Sequence, residues 1–253
     1  AIQRSAQNAI RGLMKILARH TDLIVHVSRE RDGVYQWLPV KQKTIYMLYP
    51  EHPTVDAGVI GAASDPDRVF LAHAGAVRPS YAGIELLQAM TRVQDRIPKC
   101  TLRVWGGFAG MPTSRPKGLI ECGALVIKDS VSREEVLAEL PSCDIGLSLV
   151  LPIDKTHVYA QPRKLYEYMA AGLPVIGSDV PTIRRVIEEH QCGVVVDARD
   201  PDAITDAIIR LAQDPQLRKT LGANGRRAIG VHFNSSVEST RLIAAILPLL
   251  NRA

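Results

Sequence analysis

The stretch Gln161–Pro181, QPRKLYEYMAAGLPVIGSDVP, gathers residue types that can hold an anion. Pro162 suits the first turn of a helix, where a missing N–H leaves nothing unsatisfied. The free N–H groups of such a helix start attract phosphate, and Lys164 adds a cation in the first turn. Glu167 lies three residues further on and shares a helix face with Lys164. A cation for phosphate beside a carboxylate for two ribose hydroxyls would grip a nucleotide. The same spacing also describes an exposed ion pair worth only ~0.2–0.5 kcal/mol. Spacing alone leaves both readings open.

Such a helix needs a sheet to stand on, and the chain supplies one. From residue 67 onward, short β-rich runs alternate with helical patterns. Strands are expected at Val69–Ala74, Thr101–Gly106, Leu119–Ile127, Asp144–Leu149, Pro174–Gly177 and Gly193–Asp197. Helices are expected between them, at Gly83–Arg96, Arg133–Leu140, Pro162–Ala171 and Thr182–His190. Ser132 and Glu135 have the spacing of a capping box. Asp200 before Pro201 reads as an N-cap and first-turn pair. Gly172 and Gly193 fall where helices should stop. Runs such as VFLAHA and DIGLSLV are apolar on both faces, as in a parallel sheet covered on both sides. The fold class that follows is α/β, a doubly wound parallel sheet. In it the helix at Pro162 would begin at the carboxyl edge, where open α/β sheets bind ligands.

The first 50 residues behave differently. Residues 2–19 read as an amphipathic helix with Ile2, Ala6, Ile10, Leu13, Ile16 and Leu17 on its stripe. A strand at Leu23–Val27, a short helix and a strand at Thr44–Leu48 follow. The chain opens on Ala1, so residues 1–50 are expected to be the tail of a first Rossmann-like domain mostly absent from this sequence. Residues 51–66 carry Pro50's neighbours Pro53, Gly58, Gly61 and Pro66 and read as a linker. The main domain then spans 67–228, with a C-terminal helix over 229–253.

Composition narrows the function classes. At 253 residues with 46% apolar and 23% charged residues, the chain can bury a core and is not disordered. No apolar run approaches the ~20 residues that span a bilayer. The net charge of +5 arises within residues 1–50, which hold eight basic residues and three acidic ones. The main body has no basic stripe, which argues against nucleic acid. Cys100, Cys122, Cys143 and Cys192 are scattered without a C-x-x-C pair, so neither a metal nor a disulfide framework is expected. Reduced thiols fit a cytoplasmic setting. Gly106 and Gly107 lack dinucleotide-fingerprint spacing. His157 and Asp154 precede the key helix and either face a ligand or form a solvated loop pair. His73, inside an apolar strand, reads as a satisfied core histidine.

At this point the sequence is recognisable. PRKLYEYMAAGLPVIGSDVP resembles the donor-site segment of retaining nucleotide-sugar glycosyltransferases built from two Rossmann-like domains, the GT-B fold. DLIVHVSRE looks like the last strand of the acceptor domain, and VFLAHAGAVRPSYAGIELLQAM like the strand, glycine turn and helix that open the donor domain. TLRVWGG, VSREEVLAELPSCDIGLSL and GVVVDARDPDAITDAIIRLAQDPQLRKTLGANGRRA continue it in the right order.

The resemblance implies transfer of a sugar from a nucleoside diphosphate donor to a glycan or lipid-linked acceptor hydroxyl, without cofactor or metal. Carried over, Glu167 would hold the ribose and Lys164 the diphosphate, while Ile127 and Lys128 would meet the nucleobase through their backbone. Gly75 is the glycine that ends the first donor-domain strand. The sequence departs from the pattern at three places. The first glutamate of the family's pair falls on Tyr159, its phosphate arginine on Ala76 and its lysine on Ala82. Arg78, two residues past Ala76, could replace the arginine or be a solvated loop residue. Two alternatives stay open: a binding scaffold that has lost the chemistry, and a sugar-nucleotide epimerase. The basic helix at 2–19 either packs on the first domain's sheet or lies peripherally on the inner face of a membrane.

Overall fold

The structure is a computed structural model. It describes residues 12–26, 38, 40–44, 68–112, 116–129 and 131–250. The linker expected at 51–66 and most of the basic amphipathic helix lie outside the described residues. Two compact units emerge: residues 1–51 with 233–253, and residues 52–232.

In the first unit, residues 12–18 are helical (α1), and Leu13, Ile16 and Leu17 are each 57% exposed. Strands β1 (Leu23–His26) and β2 (Lys41–Thr44) pair in parallel, with Leu23 opposite Lys41. β1 sits where the apolar run LIVHV puts it. β2 begins three residues before the expected Thr44, and residues 45–50 are outside the described residues.

The second unit is a six-stranded parallel sheet. Its strands are β3 (Val69–Ala74), β4 (Cys100–Trp105), β5 (Leu125–Lys128), β6 (Ile145–Ser148), β7 (Val175–Ser178) and β8 (Gly193–Val196). They lie in the order β5-β4-β3-β6-β7-β8. The chain therefore steps outward one way through β4 and β5, returns beside β3, and steps the other way. Its switch point falls between β3 and β6, the place where doubly wound sheets open a ligand crevice. The central strands β3, β6 and β7 are covered on both faces, which is why they lack polar alternation, whereas the edge strand β5 leaves Val126 exposed.

On one face, Val69, Leu71, Leu102, Val104, Ile145 and Leu147 form a core with helices α2 (Gly83–Arg96) and α8 (Pro201–Gln213). The helices contribute Leu86, Met90 and Val93 from α2, and Ile204, Ile208 and Leu211 from α8. Each such side chain is worth about 1.5–3 kcal/mol on burial. Between these helices in sequence lie α3 (Lys117–Glu121), α4 (Arg133–Glu139), α5 (Lys155–Val158), α6 (Arg163–Ala171) and α7 (Pro181–His190). The Tyr168 ring of α6 lies so close over β6 that a Cβ on Gly146 would fall 2.3 Å from it. Ile183 and Ile187 of α7 crowd Gly177 of β7 in the same way. Helix α9 (Pro215–His232) packs on α6, and α10 (Ser235–Leu250) belongs to the first unit.

Local signals in the sequence act as expected at several ends. Ser132 Oγ accepts from Glu135 N at 3.2 Å, and Glu135 Oε2 accepts from Ser132 N at 3.0 Å, completing the capping box of α4. Asp200 accepts from Asp202 N at 2.8 Å to cap α8. Gly172 closes α6 in the left-handed conformation, φ 77.

Elsewhere the expectation fails. The run Leu119–Ile127 is not one strand. Its first part is α3, which packs Leu119 into the core, and Gly123 at φ +76 turns the chain before β5. A short apolar run carries no period that separates the two states. Gly193 does not stop a helix either. Gln191 does so at φ 47, and Gly193 opens β8, where a Cβ would sit 1.9 Å from the Val175 carbonyl oxygen. The helix expected to begin at 229 starts later, since α9 runs through to His232 and Asn234 caps α10 by accepting from Val237 N at 2.9 Å. No helix among the described residues is long and apolar enough to cross a membrane.

A cationic cleft at the switch point

A cleft of about 670 Å³ opens at the carboxyl ends of β3 and β4, over the start of α6. Ala74, Gly75 and Ala76 form one wall, Trp105 and Gly106 the next, and Pro162 to Lys164 the third. Its charged lining is Arg78, Arg133, Arg163 and Lys164 against the single carboxylate of Glu167. Four cations face one anion, so the cleft is built for a negatively charged ligand.

Each wall has a local cause. Gly75 (φ +100) donates its N–H to Trp105 O at 2.7 Å, joining the ends of the two strands. Gly106 packs on that turn so tightly that a Cβ would lie 2.9 Å from Ala76 N. The N-terminus of α6 has no side-chain cap and no acidic residue in its first turn, leaving its N–H groups for a ligand. Helix α6 is apolar nearly all round, with every residue from Leu165 to Ala171 buried. Tyr168 fixes its position, because its hydroxyl oxygen accepts from Ala74 N at 2.7 Å, one residue before Gly75.

Lys164 is half-buried, and its ammonium lies 5.5 Å from the centre of the Tyr81 ring. Burial lowers its pKa to about 8, with the Glu167 carboxylate opposing the shift. His73, beneath the cleft, is fully buried. Its pKa falls well below the usual value because burial, and then Lys164, disfavour a charged ring. Nε2 lies 3.5 Å from Ala76 O, but Nδ1 has no partner. The expectation of a fully satisfied core histidine therefore holds for burial and not for hydrogen bonding.

Glu167 does not pair with Lys164. Its Oε1 accepts from Arg133 Nε at 3.0 Å, across 34 residues of sequence, from the first turn of α4. Arg133 Nη2 lies buried without an acceptor. Sequence reasoning missed Arg133; the capping box at Ser132 did mark where α4 begins, and so which side chain follows.

The other expected residues divide. Arg78 is exposed and lines the cleft, at the N-cap of the turn Pro79–Tyr81. Ala76 lines it too, whereas Ala82 is fully buried in the left-handed conformation, φ 53. Tyr159 ends α5 and is not part of the cleft lining. Ile127 turns toward the core packed by Leu125, and Lys128 pairs with Glu139, which also accepts from Trp105 Nε1 at 3.0 Å. Lys128 O accepts from Gly106 N at 2.9 Å. Neither residue lines the cleft. Asp154 caps α5 by accepting from His157 N at 2.9 Å and meets the His157 ring at 2.8 Å, a local loop pair. Hydrogen bonds from the His157 backbone and ring hold Asp154 below the usual carboxylate range. No cluster among the described residues has the ligands for a metal ion.

One consequence concerns pH. The Lys164 pKa of about 8 lies below the usual lysine value, so the folded chain sheds a proton that the unfolded chain keeps up to about 10.5. Folding stability from this group therefore rises with pH across that window, while the charge available to an anion is lost. Affinity for a nucleoside diphosphate should fall about tenfold between pH 7 and 9, with proton uptake on binding above pH 8. Titration calorimetry in buffers of different ionisation enthalpy reads both. Affinity unchanged to pH 9 would show that Lys164 makes no ionic contact.

A doubly wound parallel sheet with a cationic cleft at its switch point defines an α/β protein with a crevice suited to an anionic ligand. The family described as glycosyl transferases group 1 matches residues 68–214, more than half of the sequence, and the chain belongs to that family. It is 27% identical over 233 residues to the D-inositol 3-phosphate glycosyltransferase of Frankia alni, covering 86% of this chain and 57% of that protein. It is 40% identical over 65 residues to the phosphatidyl-myo-inositol mannosyltransferase of Mycobacterium leprae, covering 26% and 17%. The chain thus spans little more than half the length of such relatives. Among solved structures, sucrose-phosphate synthase from Thermosynechococcus elongatus superposes with TM-score 0.70 at 19% identity, over 95% of this chain and 61% of that one. Anabaena HepE, solved in complex with UDP and glucose, gives TM-score 0.70 at 13% identity, over 97% and 68%. These likenesses establish the GT-B glycosyltransferase fold.

Proposed function

We propose that residues 52–232 are the donor half of a glycosyltransferase, holding a nucleoside diphosphate sugar in the cationic cleft. The observation that carries this reading is the ratio of four cations to one carboxylate at the carboxyl edge of the sheet. The unit of residues 1–51 with 233–253 then belongs to the acceptor side.

Lys164, Arg78 and the start of α6 neutralise the diphosphate, and Gly75 lets it approach the backbone. Glu167 keeps its second oxygen for a ribose hydroxyl while Arg133 orients the first. The nucleobase lies toward Val131 and Val136, the apolar part of the lining. In transfer, the bond from the anomeric carbon to the diphosphate oxygen breaks and the diphosphate leaves with the electron pair. The acceptor oxygen bonds to that carbon as its hydroxyl proton passes to the departing diphosphate oxygen. The cleft lowers the barrier by stabilising the charge that gathers on the leaving group. The acceptor is a hydroxyl on a glycan or a lipid-linked sugar. The relative from Mycobacterium leprae is named for a lipid substrate. The exposed stripe Leu13, Ile16 and Leu17 beside Lys15 and Arg19 supports a peripheral contact at the cytoplasmic face of a membrane.

Calorimetric titration with uridine, guanosine and adenosine diphosphates tests the reading. One of them should bind at millimolar affinity or better, and absence of binding by all three would sink the proposal. A binding module that has lost turnover is the second reading, favoured by Ala76 and Ala82 at the usual cation positions. Turnover of a nucleotide sugar by the full-length protein excludes it.

A further inference from the structure

At the opposite, amino edge of the same sheet lies a second cavity of about 700 Å³, between α9 and the turn from α6 to β7. One face of α9 lines it at helical spacing: Arg218, Lys219, Gly222, Ala223, Arg226 and Arg227. Gly222 packs so tightly on the turn that a Cβ there would lie 2.0 Å from Gly172 O, while the small, exposed Ala223 leaves room beside it, with cations at either end. Leu173, Pro174 and Pro215 give the cavity an apolar side.

The charges here are not accounted for by the fold. Arg218 has partners: it donates to Leu211 O and Ala212 O at 2.7 Å and lies 3.7 Å from Asp144. Asp144 is the single carboxylate of the lining, and it already accepts from Phe70 N at 2.8 Å. Arg227 donates to Asn224 Oδ1 at 2.7 Å, a neutral partner. Among the described residues, neither Lys219 nor Arg226 meets a carboxylate, and Arg226 Nη2 is buried with no acceptor at all. Lys219, Arg226 and Arg227 line the cavity, so an anion there gains charge-assisted hydrogen bonds.

We propose that this cavity binds a small phosphate monoester with an apolar body. Three cations beyond the Arg218–Asp144 pair call for a dianion, and the apolar side calls for more than inorganic phosphate. The small, exposed Ala223 leaves room for the ligand between the cations. The site is separate from the donor cleft, since Gly172 in its wall ends the helix whose other end carries Lys164. It stands whether or not the donor reading is right.

Phenyl phosphate is the probe, titrated by calorimetry and by amide chemical shifts at low salt. It should bind at millimolar affinity and move the amides of Gly172, Leu173, Gly222 and Ala223. The double variant Lys219→Gln, Arg226→Gln should bind at least tenfold more weakly, with Arg226→Lys close to the parent as a control for folding. Lys164→Ala should leave the affinity unchanged. The proposal is overturned by no binding up to about 10 mM, or by loss in Lys164→Ala with full binding in the double variant. Inorganic phosphate or phenol binding as tightly as phenyl phosphate would overturn the ligand class.

Discussion

Replacing Lys164 with alanine should weaken nucleoside diphosphate binding ten- to hundredfold and leave nucleoside binding nearly unchanged. A charge-assisted contact to phosphate is worth about 1.5–3 kcal/mol, which converts to that range. The contrast between the two ligands is the informative part. Lys164 is half-buried near the Tyr81 ring, so removing it strips a cation from the cleft without opening the core below. Leu165 and Tyr168 hold α6 in place from its buried side. Calorimetry on the parent and the variant, with each ligand, gives the four affinities needed. Equal losses for nucleoside and diphosphate would mean that the substitution disturbed the start of α6, and the phosphate role would be dropped.

That Lys164 could be singled out at all shows which features the sequence makes legible. Its place depends on a local rule, a proline-led helix start after a buried strand, and local rules act over a few residues. The same holds for the capping box at Ser132, the Asp200 cap and the Gly172 stop. The doubly wound class is readable because the central strands are covered on both faces, and apolar runs without alternation report that directly.

What stayed hidden depends on contacts between elements. One of the two readings that spacing leaves open pairs Glu167 with Lys164, because helix spacing makes them neighbours. Its partner is Arg133, brought 34 residues across by the crossover from β5 to β6. Spacing within one helix holds no information about a second helix. Tyr168 is similar: nothing in YEYMAAG says that its hydroxyl will accept from Ala74, 94 residues earlier. The side chains of Ile127 and Lys128, as distinct from the backbone groups expected to meet a nucleobase, also depend on their neighbours. Successive strand residues point to opposite faces, so one turns into the core and the other pairs with Glu139.

The Arg133–Glu167 pair gives the second large effect, and the two partners should not behave alike. The Glu167 side chain is 9% exposed and that of Arg133 is 32%. Glu167→Ala leaves a guanidinium that already has one unpartnered nitrogen with no carboxylate at all. Breaking a buried pair from one side costs about 3–5 kcal/mol, and the exposure of Arg133 reduces this to roughly 2 kcal/mol. For a unit of this size the melting temperature should fall by about 4–8 °C. Arg133→Ala should cost less, because Lys164 remains to offset the Glu167 charge. Binding adds a second discriminator. If Glu167 holds the ribose, its loss should weaken nucleoside and nucleoside diphosphate by the same factor, about tenfold, unlike the selective loss from Lys164→Ala. A loss confined to the diphosphate would instead mean that Glu167 acts by tuning Lys164.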